Sequence, residues 1–287
     1  MKAELICEGF GLIEGPVWSE KLGFLFSDVL FGGVFCLDKE RQLKTVFGHR
    51  RGIGGMCLHE DGGMVVSGRN IAYKSFTGGE TVVILDRDEG QGRVGFNDIT
   101  VDPSGRIYAG SLGSSPVFED GLAEKPGNLY LIDSDGSSRI VARDIRLTNG
   151  LGFSPDGKFL YHSDSRRNLV YRYQVLSNGV LGSKEHFITT SKGIPDGLAV
   201  AQDGSIWVAL ADGGGGVAIF ESNGQQSDFI EISVPMCTSL CFGGTDRRDV
   251  YIVSGSDGTG SERAGGVYLA RSEVPGLEVL PAKVALS

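Results

Sequence analysis

The chain is short of the residues on which much enzyme chemistry rests. Four histidines and five cysteines in 287 residues leave little for a zinc or copper centre. The cysteines, at 7, 36, 57, 237 and 241, form no CxxC pair and have no histidine beside them, so the expectation is buried free thiols rather than a disulfide framework. Cys237 has no basic partner nearby in sequence and reads as one of these, not as a nucleophile. A GxSxG elbow is missing, and His49, His59, His162 and His186 lie in turns or along strands, which argues against a serine triad. Positive charge is scarce as well. Lys+Arg total 27 against 36 Asp+Glu, a net charge of −9, and the longest cationic runs are the pairs Arg50-Arg51, Arg166-Arg167 and Arg247-Arg248. Such a surface repels nucleic acid and anionic membranes. No apolar run approaches the roughly 20 residues that cross a bilayer, and the N-terminal apolar stretch is too brief for a secretory signal, so the expected location is the cytoplasm. The glycine run ADGGGGV at 211–217 lacks a strand-to-helix setting and a GK[ST] ending, and is expected to be a flexible loop, not a phosphate cradle.

What the chain has in quantity is glycine, 45 residues, set among short alternating apolar segments that end in Gly, Asp, Asn or Ser. That pattern belongs to an all-β protein. The segments repeat. TNGLGFSPDGKFLYHSD, PDGLAVAQDGSIWVALAD, FNDITVDPSGRIYAGSL, GIGGMCLHEDGGMVVSG and IEGPVWSEKLGFLFSDV share one template, and CTSLCFGGTDRRDVYIVSG is a sixth copy with a longer turn. The opening residues are Glu14, Gly54, Asn97, Asn149, Asp196 and Thr238, spaced 40, 43, 52, 47 and 42 residues apart. This is the period of propeller blades. The third template position is Pro16, Met56, Ile99, Leu151, Leu198 and Leu240, and the fifth is Trp18, Leu58, Val101, Phe153, Val200 and Phe242, nearly all large and apolar. Trp18 and Phe153 therefore read as core rings. Each hairpin is followed by room for two more strands, so the fold expected is a six-bladed β-propeller forming a single domain over residues 1–287. To shut the ring, the strand around Glu4–Glu8 should pair into the last blade beside Gly266–Ala270.

In a propeller the innermost strands all start at one end of the central tunnel, so the six opening residues should converge there. Two carboxylates and two carboxamides meeting where packing has no use for them are costly unless something binds them. A hard divalent cation does so. Oxygen donors from Glu14, Asn97, Asn149 and Asp196 suit Ca²⁺ first, with Mg²⁺ and Mn²⁺ as alternatives and Zn²⁺ admitted as a further ion, although the absence of His and Cys does not favour it. For any one of these positions an Asx residue that merely starts a strand is the simpler reading. Four in matching register, with glycine following at 15, 150 and 197 and Asp98 as the exception, favour the metal.

These same segments carry a family resemblance. EGPVW at 14–18, FND…VDPSGR…AG at 96–110, TNGLGFSPDGK…YHSD at 148–164, PDGL at 195–198 and TS..FGG.D at 238–246 resemble the gluconolactonase, senescence marker protein (regucalcin) and luciferin-regenerating enzyme family, in order over nearly the whole chain. The resemblance implies a six-bladed propeller with one divalent metal held at the positions of Glu14, Asn149 and Asp196, while the residue matching Asn97 ligates the metal in some relatives and contacts substrate in others. It also implies a small lactone as substrate. One departure is visible: sugar-lactonase relatives often carry an arginine two residues before that asparagine, where this chain has Gly95, leaving Arg93 as the candidate substitute for binding substrate hydroxyls.

The expected reaction is lactone hydrolysis by metal-activated water, with Asp196 both ligand and general base and Glu14 supplying most of the remaining negative charge. A phosphotriesterase-like or arylesterase-like hydrolase on the same site, or a non-catalytic calcium-binding propeller, are the alternatives. Asp164 reads as a turn cap and His162 as a packing residue. The insertion SSPVFEDGLAEKPGN is expected to arch over the metal face as a lid. A monomer or a homodimer is expected.

Overall fold

The computed structural model describes residues 1–114 and 124–286. Its strands form six antiparallel sheets of four strands each, and the only helical elements among the described residues are three short 3₁₀ turns. None of them is long and apolar enough to cross a membrane. This is a six-bladed β-propeller. Five blades use consecutive strands; the sixth joins Cys237–Gly243, Asp249–Ser254 and Gly265–Arg271 to the N-terminal strand Glu4–Phe10. That strand pairs Leu5 with Tyr268 and Glu8 with Gly266, the closure expected from sequence.

The alternating apolar pattern is explained by what lies between blades. There are six apolar clusters, and each fills one blade-to-blade interface. Trp207, Leu240, Phe242 and Ile252 seal blade 5 against blade 6, for instance, and Phe10, Phe24, Phe26 and Val253 seal blade 6 against blade 1. Each large side chain so buried contributes roughly 1.5–3 kcal/mol, so the ring is held by a repeated sandwich and not by one central core. Of the five thiols, all free, Cys36, Cys57 and Cys237 are buried, whereas Cys7 and Cys241 are only half-buried. The glycine run at 211–217 forms a packed turn in which a side chain at Gly214 would strike the Leu210 backbone.

Two features place the functional end. In the pairings Glu14 with Ser27 and Thr148 with Asp164, the start of an innermost strand lies beside the end of the next strand. The connections between blades and the loops joining second to third strands therefore share one face. In addition, five of the six innermost strands carry a register shift at the opening residue, between Glu14 and Val17, Phe96 and Ile99, Thr148 and Leu151, Pro195 and Leu198, and Cys237 and Ser239. Such bulges re-aim side chains out of the regular sheet face. Only Gly54 lies outside its strand, two residues before Met56–His59.

The other mouth of the tunnel is floored by the C-terminal segment, for which the sequence offered no strand pattern. Residues 272–286 run from blade 6 across to blades 2 and 3, with Gln202 N donating to Pro275 O at 2.8 Å, Ala282 N to Leu58 O at 2.8 Å, Lys283 N to Gly105 O at 2.8 Å and Ala285 N to Ser134 O at 2.8 Å. The buried His59 ring meets Val284 O at 3.0 Å. Between floor and opening residues is a cavity of about 420 Å³, walled by third- and fifth-position side chains such as Ile99, Leu151, Leu198 and Phe242.

Candidate functional site

The opening residues lie around one ring, and hydrogen bonds link the blades there at four of the six junctions. Thr238 Oγ1 donates to Ile13 O at 2.6 Å, and Ser27 Oγ to Ile53 O at 2.7 Å. Asn97 Nδ2 donates to Thr148 O at 2.9 Å and to Asn149 Oδ1. Asn149 Nδ2 donates to Ser165 Oγ at 2.7 Å, and Ser165 Oγ in turn to Pro195 O at 2.6 Å, next to Asp196. Glycine at 54 is required by this geometry, because a Cβ there would lie 2.0 Å from Asn97 Oδ1.

Glu14, Asn149 and Asp196 are buried, at 8%, 6% and 5% exposure, and Asn97 is half-buried. Asp196 Oδ1 is buried with no hydrogen-bond partner. Burial, then the charge of Asp98, holds the Asp196 carboxyl well above the usual range. Burial, then the charges of Asp196 and Asp98, does the same to Glu14. Asp98, the one non-glycine among the residues following the aligned Glu and Asn/Asp openings, is pushed up to about 7 by burial. Three mutually repelling buried carboxyls are an arrangement that a cation would relieve. Among the described residues no three His, Cys, Asp or Glu side chains are grouped closely enough to hold an ion unaided, so carboxamide oxygens must complete any such site. The donor set is all oxygen, as hard divalent cations prefer.

The structure does not bring Arg93 into this ring. Its guanidinium donates to Tyr130 Oη at 3.0 Å and to Asp86 O at 3.0 Å, and stacks on the Tyr130 ring at 4.9 Å. Gly95 has a steric reason: a Cβ there would come within 2.9 Å of Gly68 O, so no side chain fits without moving backbone. Asp164 is fully buried and caps the preceding connection, accepting from Arg146 N and Leu147 N, both at 3.1 Å, and from Arg167 Nη1 at 2.8 Å. His162 is buried against Thr148 Oγ1 at 2.7 Å, and burial lowers it to about 3, keeping it neutral. Trp18 stacks on Tyr251 and Phe153 packs edge-on against Tyr108, as core rings do. Ser165 and Asp98 were missed by sequence reasoning. Asp98 was signalled by breaking the glycine pattern; Ser165 carried no signal, since its partners are 16 and 30 residues away. Residues 115–123 of the expected lid lie outside the described residues; beyond them Glu124 pairs with Arg166 Nε at 3.1 Å.

Residues 12–256 match the family model described as the SMP-30/Gluconolactonase/LRE-like region. The chain belongs to this family. Among family relatives, it is 33% identical over 274 residues to a 6-deoxy-6-sulfogluconolactonase of Pseudomonas putida, covering 92% of each chain. It is 29% identical to regucalcin of Xenopus laevis, again over 92% of each. The fold superposes on the crystal structure of a calcium-binding protein, regucalcin, of Agrobacterium tumefaciens with a TM-score of 0.84 at 21% identity, covering 99% of both.

Proposed function

We propose that the chain is a lactonase that opens a sugar lactone or a related small lactone, and that Glu14, Asn149, Asp196 and Asn97 hold one divalent cation, Ca²⁺ first among candidates. The observation that carries this reading is the unpartnered, buried Asp196 Oδ1 beside Glu14 and Asn149. Family membership and the lactonase named above support the reaction class. A hard cation bound there supplies Lewis acidity to an ester carbonyl and acidity to water.

The chain's own residues do the rest. Ser165, bonded to both Asn149 and Pro195 O, fixes the Asn149 carboxamide so that its nitrogen is held by Ser165 Oγ and its oxygen accepts from Asn97 Nδ2. Asp196 Oδ1 accepts a proton from the water whose oxygen attacks the lactone carbonyl carbon. The ring C–O bond then breaks, and the proton is passed to the departing ring oxygen, leaving a hydroxy acid. A carboxyl whose basicity is raised by burial is a better proton acceptor than an exposed one.

The test pairs activity with binding. Hydrolysis of a lactone panel and of one organophosphate is measured with EDTA and with Ca²⁺, Mg²⁺, Mn²⁺ or Zn²⁺ restored, and ion binding is read by calorimetry. Lactone turnover that falls with EDTA and returns with an ion is the result expected. Turnover of no lactone, or calorimetric silence with every ion, sinks the reading.

A further inference from the structure

The face that carries the ring of opening residues is unevenly charged. Several of its cations are engaged: Arg50 donates to Ser67 O and Asn70, Arg93 to Tyr130, Arg167 to Asp144 and Asp164, Arg166 to Glu124, and Lys192 and Arg263 lie over aromatic rings. Three are left. The arginines, Arg51, Arg69 and Arg146, are exposed, and among the described residues their guanidinium groups make no ion pair and no hydrogen bond, although the charge of Arg146 reaches the Asp144 carboxyl.

All three are tied by their backbones to the site. Gly68 and Phe96 exchange hydrogen bonds, at 3.2 and 2.7 Å, which fixes Arg69 beside the residue preceding Asn97. Arg51 stands three residues before Gly54, and the backbones of Gly52 and Gly68 touch, so a Cβ at Gly68 would come within 2.5 Å of Gly52 O. Arg146 stands three residues before Asn149, its N–H held by Asp164. The exposed acids of the same face are elsewhere. Asp212, Asp257 and Glu262 belong to blades 5 and 6, while in the connection after blade 2 Glu89 pairs with Arg87, and Asp86 and Asp88 accept local backbone N–H groups.

On a chain of net charge −9, with Glu14, Asp98 and Asp196 in the ring below, an anionic substrate would be repelled unless cations met it at the mouth. A neutral lactone needs no such provision. A guanidinium fork matches the paired oxygens of phosphate, sulfonate or carboxylate. We propose that the substrate is a lactone bearing an anionic group on the carbon remote from the carbonyl, and that Arg51, Arg69 and Arg146 form the slot for that group at the blade 2 to blade 4 side of the mouth.

This rests on the lactonase reading, and the experiment separates the two. Glucono-1,5-lactone is compared with its 6-phospho and 6-sulfo counterparts and with a glucaric acid lactone, which share a ring and differ in the terminal group. The expected result is a kcat/KM at least tenfold higher for one or more anionic lactones, an advantage that shrinks in 0.5 M NaCl. In the exposed-site double variant Arg51→Ala/Arg69→Ala the anionic-to-neutral ratio is expected to fall about tenfold. Equal or better use of the neutral lactone overturns the anion slot and leaves the lactonase reading standing. If no lactone is turned over, the lactonase reading falls, and binding decides the slot: 6-phosphogluconate must bind more tightly than gluconate, and lose that advantage in the double variant, or the slot falls too.

Discussion

The two ends of the tunnel are built on opposite terms. At one end residues from four blades bring carboxyls and carboxamides into a largely buried ring, with one carboxylate oxygen left unpartnered. At the other, a segment without regular strand structure satisfies its backbone on the turns of blades 2, 3, 5 and 6 and covers apolar walls. The ring end spends stability to hold charge close together. The floor end recovers it by burial, placing Ala282 and Val284 at 0% and 2% exposure against the blade 2 to blade 3 cluster. Unpartnered charge is thus gathered at the end where chemistry is proposed, and the floor gives support at the other.

Perturbing each end in turn tests that division. Asp196→Ala is expected to lower kcat/KM by ~10³-fold, about 4 kcal/mol, while circular dichroism stays that of the parent, because the general base is lost and no packing is. Truncation after Val274 should do the reverse, costing about 3 kcal/mol in denaturant unfolding with kcat/KM at 25 °C kept within about twofold, since the floor touches no proposed reacting group. An activity loss equal to that of Asp196→Ala would show that the two ends are not independent. Ser165→Ala, which frees the Asn149 carboxamide, is expected to reduce kcat/KM about tenfold and weaken ion binding by a similar factor in calorimetry. A smaller effect should come from pH. The folded-state carboxyls of Glu14, Asp98 and Asp196 are all raised, so without an ion they penalise folding increasingly as pH climbs from the ordinary carboxylate range, near 4, through the folded value of about 7 for Asp98. The melting temperature in EDTA should fall by about 5 °C between pH 5 and pH 8, and saturating cation should flatten that slope. Smallest of all, Arg247→Ala, which opens the 2.6 Å ion pair to Glu278 at the floor, should cost about 0.5 kcal/mol and leave the ring's ion affinity unchanged.

The contrast also explains what could be read beforehand. Blade number, closure and the convergence of Glu14, Asn97, Asn149 and Asp196 follow from spacing and symmetry, which depend on repetition and are therefore written six times. Ser165 and the floor are written once. Residues 272–286 alternate in no strand-like way because they pair through isolated bridges, such as His59 with Ala282 and Ala201 with Gly276, whose partners lie far away in the chain. Arg93 was the residue the sequence offered in place of an arginine at 95, and its guanidinium lies over the Phe96 and Tyr130 rings, a placement that only packed coordinates disclose.

The N-terminal strand's place in blade 6 bears on how the molecule comes into being. Between Glu4–Phe10 and its hydrogen-bonding partner, Gly265–Arg271, the chain runs through every other strand of the propeller. The circle is therefore left open until Gly265–Arg271 has been made, with the earlier strand waiting unpaired. Loosening that one seam should lower kinetic resistance to proteases more than loosening any interior pair of strands, because among the described strand pairs it joins the segments farthest apart in sequence.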